Sequence, residues 1–383
     1  MAKNVTKCMT IGALTLVFWI VSLVIMDKVS DRNDLSNKTV DEITKSWSKS
    51  QDFSGPIICV PVYSDNEKSP YTCMYVLPEQ YTVEADVESQ ILHRGIFDAS
   101  VYRTKIEASG SYNLKNMKLN ELDQASASVI RYDWNHAQII VSIGDKRGLE
   151  EGICVSVDGQ DIELNKRFNS YMNTNIRPLF YGDMVCCQMD LSEMVGKEIP
   201  FSLHSNLKGS ETLDISPVGV NSKIVIRGNC ADPSFDGMVL PSSREVSDDG
   251  FEASWKINCM NRNDVDQVFY STESISLQHV GVKLLIKGGQ YTQTDRALKY
   301  AFLVILLSLA AVFVAEMCVK TEISFLNYLL IGAAVVLFYL LLLSISEWTG
   351  FAVAYLLSVI LTVGMITATV ALINRLYRPV ESL

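Results

Sequence analysis

The sequence has 383 residues, 48% of them hydrophobic, and a formal charge of −10 at pH 7. That acidic balance argues against nucleic acid as a partner and against electrostatic docking on anionic lipid heads. The apolar residues gather in four runs, which excludes an ordinary water-soluble globule.

In chain order the runs cover residues 8–26, 297–319, 325–345 and 351–373. At about 1.5 Å per residue, each is long enough to cross a hydrocarbon core of roughly 30 Å as a helix. None shows strand alternation, so four transmembrane helices are expected. The first run exceeds the ~7–15-residue apolar core of a secretory signal, and its end, SLVIMDK, offers no small-x-small cleavage site. It is expected to remain as an anchor.

Lys3 and Lys7 precede the first helix, Lys320 lies between the second and third, and Arg375 and Arg378 follow the fourth. An even number of crossings puts all of these on one side, which the positive-inside rule makes the cytoplasm. Lys28 and Lys299 fall on the other side. The expected organisation is therefore a cytoplasmic N-terminus and first helix in residues 1–27 and an outer domain in residues 28–296. The three remaining helices and a cytoplasmic tail, residues 374–383, complete it. The lipid bilayer is the first partner implied.

The outer segment is long enough to bury a core of its own. It opens with DLSNKTVDEITKSW, where Leu35, Val40, Ile43 and Trp47 fall at helical spacing, predicting a short juxtamembrane helix near residues 36–50. From Pro56 onward, short β-type runs alternate with turn residues, among them PIICVPVY, TCMYVL and YTVEADV. In GICVSVDGQDIEL, Asp158-Gly159 between two alternating runs signals a tight hairpin. SDNEKSP joins runs carrying Cys59 and Cys73, and folding them about residue 66 sets these cysteines opposite one another as a candidate disulfide. Cys230 and Cys259 each close a strand-like run and form a second candidate pair. The expected class is an α+β membrane protein, with four transmembrane α-helices and a large, mainly antiparallel, sandwich-like β domain.

No nucleophile elbow, HExxH, phosphate loop or dinucleotide fingerprint occurs. His93, His136, His204 and His279 are scattered, no C-x-x-C is present, and no metal or cofactor is implied. The stretch PSFDGMVLPSSREVSDDGFEASW, residues 233–255, reads as turns around strand ends, with Arg244 and Glu245 available for a rim contact with a partner. In the membrane, Glu316 is expected to pair with Lys320 one turn on, at headgroup level. Glu347, before Trp348, Thr349 and Gly350, is expected at the outer surface where the third helix turns into the fourth. Its alternative is an inward-facing carboxylate that hydrogen-bonds a neighbouring helix or passes protons. Tyr328 and Tyr339 share a helix face and are expected to pack.

Several of these stretches resemble the CreD family of bacterial inner-membrane proteins, named for cell-envelope integrity and colicin tolerance. WSKSQDFSGPIICVPV resembles its entry into the outer domain, and RGIFDASVYRTKIEASGSY its Arg-Gly-Ile…Val-Tyr strand pair. Residues 233–255 match its Pro-Ser-Phe-x-Gly, Leu-Pro, Arg-Glu and Gly-Phe-x-Ala-x-Trp pattern, through Pro233, Phe235, Gly237, Arg244, Glu245 and Trp255. YTQTDRALKYAFLVI and NYLLIGAAVVLFYLLLLSISEWTGFAVAY match its second and third membrane helices, through Arg296, Lys299, Tyr300, Glu316, Tyr339 and Glu347. The resemblance implies an inner-membrane protein with a large periplasmic domain and no established catalytic residues. Family members place His after the Glu of the Ser-x-Ser-Glu turn, where this chain has Trp348, so no Glu-His relay is implied. They also continue into further membrane helices, where this sequence ends at RLYRPVESL.

The function expected on these grounds is a non-enzymatic envelope-integrity protein whose β domain binds another envelope protein or a second copy of itself. A periplasmic hydrolase or ligand-modifying enzyme anchored in the inner membrane is the alternative. A transporter or channel subunit, lined by small residues such as Gly332 and Gly364, ranks third.

Overall fold

The computed structural model describes residues 2–64, 70, 72–115, 130–167, 182–258, 268–270, 278–284, 290–319 and 323–377. They divide into two compact units: residues 1–40, 94–97 and 287–383 form one, and residues 41–93 and 98–286 the other.

Helix α1 spans Ala2–Trp47, α2 Gln290–Lys299, α3 Ala301–Val319, α4 Phe325–Thr349 and α5 Phe351–Tyr377. Four of these are long and apolar enough to cross a membrane: α1, α3, α4 and α5. The juxtamembrane helix expected near 36–50 is not separate; it is the last part of α1 and stops at Trp47. No Gly or Pro occurs between residues 13 and 54, so nothing in the chain breaks the helix earlier. The second expected span is divided at Tyr300, and Arg296 and Lys299 lie on the polar helix α2 that precedes it.

The helical unit is held by one apolar seam. On α1 the buried residues are Ile11, Leu14, Phe18, Ile25 and Val29, with Thr15 and Ser22 completing a spacing of three and four. Ala301, Ile305 and Leu309 supply α3, and Tyr328, Val335, Val336 and Tyr339 supply α4. Gly332 allows close approach: a Cβ there would lie 2.1 Å from the Phe18 ring.

The other unit is built from strands. In chain order they are β1 Gln51–Ser64, β2 Thr72–Val76, β3 Gln80–Arg94, β4 Phe97–Asn113, β5 Ile130–Tyr132 and β6 Ala137–Ile143. Next come β7 Ile153–Val157, β8 Gln160–Leu164, β9 Lys166–Arg167, β10 Asp183–Met189, β11 Glu198–Ser210 and β12 Thr212–Ile215. The last are β13 Asn221–Gly228, β14 Pro233–Gly237, β15 Ser243–Ser247, β16 Gly250–Asn258, β17 Val268–Tyr270 and β18 Val280–Leu284.

One sheet runs β14-β18-β12-β1-β6-β10-β9, with β2 and β5 added beside β1 and β17 beside β2; the other runs β15-β16-β13-β3-β4-β11-β7-β8. Pairing is antiparallel except between β1 and β12 and between β3 and β13. Asp158 and Gly159, both at positive φ, make the predicted hairpin turn between β7 and β8.

Inward-facing residues of both sheets form one core, which includes Phe53, Tyr81, Tyr102, Tyr112 and Trp255. Three of these tyrosines bridge the sheets. Tyr81 donates to the Gly55 carbonyl at 2.8 Å, Tyr112 to that of Pro56 at 2.8 Å and Tyr102 to that of Thr212 at 2.6 Å. Two of the acceptors mark the point where the β1–β6 register shifts, so the core side of this bulge is pinned.

Candidate functional site

The most elaborate polar structure in the β unit lies where α1 ends and β1 begins. Trp47 closes the helix and donates its indole N–H to the Tyr102 carbonyl at 3.4 Å. Its ring is flanked by the Arg103 guanidinium at 5.1 Å and the Lys208 ammonium at 5.2 Å. A helix end leaves carbonyls unpaired, and Arg147 supplies a donor to that of Lys45 at 2.7 Å.

Below it, the buried Gln51 amide donates to Ser48 Oγ at 3.0 Å, to the Asp145 carbonyl at 3.1 Å and to the Lys208 carbonyl at 2.7 Å. Its oxygen accepts from the Asp145 N–H at 3.2 Å. The Asp145 carboxylate accepts from Arg147 at 2.6 Å and from the Lys49 N–H at 3.1 Å. Arg147 holds the Asp145 carboxyl down to about 2, helped by the Lys49 and Arg147 N–H groups and opposed by burial. Gln51 therefore locks the end of the helix to the sandwich.

The neighbouring residues of β1 point the other way. Asp52 pairs in register with Asp214 on β12, so two carboxylates stand side by side on the sheet face opposite Gln51 and Phe53. Burial pushes the Asp52 carboxyl up to about 6; Asp214 adds to this, while His279 and a hydrogen bond from Ser216 oppose it. Asp214 is also raised, first by burial and then by Asp236, with His279 opposing. Neither aspartate stands out in the sequence, because the strands that join them are about 160 residues apart.

Among the membrane residues, Glu316 is buried, and its described partners are Lys7, Ile323 and Tyr328. One oxygen takes the Lys7 ammonium and the Ile323 N–H, the latter at 3.2 Å, and the other accepts from Tyr328 at 2.7 Å. Lys320 lies outside the described residues. Tyr328 is thus a hydrogen-bond donor as well as a packing residue. Beside it is a cavity of about 300 Å³, lined by Thr10, Leu14, Ile323 and Phe325 among others.

Glu347 lies at the other end of α4, 3.7 Å from Arg32 of α1, with Trp348 exposed and Gly350 ending the helix. Lys7 and Arg32 are 25 residues apart, about 37 Å along a helix, more than the roughly 30 Å of a hydrocarbon core. Tyr339 is buried in the seam, Lys299 pairs with Asp295 at 2.7 Å, and Tyr300 is exposed.

The stretch from Pro233 to Trp255 carries the chain from one sheet to the other. Phe235 packs edge-on against Phe251 and Trp255, and the Trp255 indole donates to the Val239 carbonyl at 3.0 Å. Gly237 ends β14 at a positive φ of 118°. Arg244 and Glu245 lie on the edge strand β15, every residue of which is exposed.

Cys59 and Cys73 are not opposite one another: Cys59 faces Tyr75 and Cys73 faces Pro61, because the hairpin centres one residue later than residue 66. Their thiols are unbonded and meet diagonally through a hydrogen bond. Cys230 packs against the core, and Cys259 lies outside the described residues. His93 and His136 sit beside the surface carboxylates of Asp98 and Asp133, at 2.6 and 2.9 Å, and His204 lies 4.0 Å from Glu107. None of these three joins a carboxylate to a serine hydroxyl among the described contacts.

Residues 3–377 match the family model described as "Inner membrane protein CreD". The curated protein of that description from Escherichia coli strain K12 is 27% identical over 364 residues, covering 92% of this chain and 77% of its own length. Two structures of an M1 zinc metallopeptidase from Deinococcus radiodurans align at 6% and 7% identity. Each alignment covers 56% of this chain and 43% of the other, with a TM-score of 0.25, too low to bear on fold or chemistry. Four apolar helices, a large mixed-sheet domain and a match over almost the whole length make this chain a member of the CreD family of inner membrane proteins.

Proposed function

We propose that this protein supports envelope integrity without catalysis, its four helices anchoring the β domain on the periplasmic side and that domain binding another envelope protein or a second copy. The observation that carries the reading is the junction at Gln51 and Asp145. It ties the last turn of α1 to the sandwich through buried, mutually satisfied hydrogen bonds, as a domain under load requires. Lys3, Lys7, Lys320, Arg375 and Arg378 support cytoplasmic termini and hence a periplasmic position for residues 28–296.

The partner contact belongs on the open edge strand β15. There Arg244, Glu245 and the half-exposed Val246 face solvent, and among the described residues no strand pairs with the far side of β15. A photo-crosslinking residue in place of Glu245, used in the intact envelope, should give one discrete adduct identifiable by mass spectrometry. An adduct pattern no different from that of a residue placed at Glu198, on another strand, would contradict the reading. Single replacement of each His should leave envelope integrity intact; loss of function from one such change in a folded protein would favour the anchored hydrolase instead.

A further inference from the structure

The face of the first sheet turned away from Gln51 and Phe53 holds a set of oxygens that the junction does not use. Asp52 and Ser54 are two residues apart on β1 and therefore project from the same side. Ser142 on β6 pairs directly with Ser54, and Asp214 on β12 pairs directly with Asp52. Next across the sheet is Gly281, where a Cβ would lie 2.2 Å from Asp214 Oδ1, so the Asp214 carboxylate occupies the space a side chain would take. Asp236 ends the row on β14, exposed and turned back to accept from the Gly237 N–H at 2.8 Å.

Two adjacent carboxylates alone would be an acidic surface. The hydroxyls beside them are different. Ser54 is 3% exposed and Ser142 1%, yet neither Oγ has a hydrogen-bond partner. Asp52 Oδ1 is in the same condition. Three of the nine buried side-chain oxygens without a partner among the described residues thus fall at adjacent positions of one sheet face. Folded proteins rarely leave such atoms unpaired, and a cluster of them points to a bound species that accepts oxygen lone pairs. The backbone here is also specially held, because Ser54 immediately precedes the bulge whose carbonyls are pinned by Tyr81 and Tyr112.

We propose that this patch binds a hard divalent cation of the Ca²⁺ or Mg²⁺ class, with Asp52 and Asp214 as carboxylate ligands and Ser54 and Ser142 as neutral oxygen donors. Every donor is oxygen, which suits these ions and not zinc or copper. No three His, Cys, Asp or Glu side chains converge as a ligand set among the described residues, so water completes the coordination, as is usual for Mg²⁺. His279 is exposed at the rim and stays outside the set. The cation relieves the repulsion between the two carboxylates, which stand in register on adjacent strands.

The test uses the full-length protein in detergent, stripped with a chelator and then titrated with CaCl₂ or MgCl₂ at near-neutral pH, followed by calorimetry and thermal unfolding. The wild type should bind about one ion, and its unfolding temperature should rise by roughly 5 °C at saturation. Asp52→Asn and Asp214→Asn should each abolish that binding. Both variants should unfold at or above the stripped wild type's temperature, which shows that they fold. Ser54→Ala with Ser142→Ala should weaken binding by roughly tenfold while leaving the carboxylates in place. The proposal is overturned if the wild type binds neither ion, or if the Asn variants bind as tightly as the wild type.

Discussion

Residues 51 to 54 of β1 present two opposite treatments of buried polar groups within a single strand. On the inner side, the Gln51 amide meets four partners and Asp145 is satisfied by Arg147 and Lys49. On the opposite side, Asp52, Ser54 and Ser142 each carry a buried oxygen with no partner among the described residues, and the two carboxylates repel. A satisfied network fixes geometry, whereas an unsatisfied one costs free energy until something binds. The contrast separates a structural joint from a binding surface, four residues of chain doing both.

The largest expected effect comes from breaking the satisfied side. Gln51→Leu keeps the volume but leaves the Lys208 and Asp145 backbone groups unpaired, and should lower stability by about 3–5 kcal/mol in denaturant unfolding. Next is the corresponding buried carboxylate of the helical unit. Glu316→Leu removes the acceptor for Lys7, Tyr328 and the Ile323 N–H, and should cost about 3 kcal/mol, read as a lower unfolding temperature in detergent.

The unsatisfied side should respond with the opposite sign. The Asp52 carboxyl is raised from 3.8 to about 6, so its contribution is fully present below the lower value and is lost as pH rises through about 6. In chelator at neutral pH, Asp52→Asn should therefore stabilise by about 2 kcal/mol, and this gain should vanish below about pH 4. Asp145 behaves inversely: its contribution is present above 3.8 and is lost as pH falls through about 2. Asp145→Asn should accordingly flatten only the most acidic part of the stability profile. The smallest effect belongs to Glu347, whose partner Arg32 is half-exposed at 3.7 Å. Glu347→Gln should change stability by less than about 1 kcal/mol.

The sequence made the helices legible because hydropathy over some twenty residues is a local signal. The Asp158-Gly159 hairpin was legible for the same reason, since its turn chemistry is contained in two residues. The continuity of α1 through Trp47 could have been inferred from the absence of Gly and Pro, but the change from apolar to amphipathic pattern near Lys28 reads as a boundary. Partner choice was not legible. Glu316 is held by Lys7, 309 residues away in sequence, and Asp52 gains its significance only from a parallel register with β12. The cysteine pair failed because a hairpin centred one residue later shifts the pairing by two, which turns an opposite pair into a diagonal one on the same face.

The account rests on the β domain lying beyond the inner membrane. Cys154, exposed on β7, provides the direct test in a variant that keeps it as the sole cysteine. In intact spheroplasts a membrane-impermeant maleimide should label Cys154 as fully as it does after lysis. Labelling that appears only once the membrane is broken would place the domain in the cytoplasm and contradict the account.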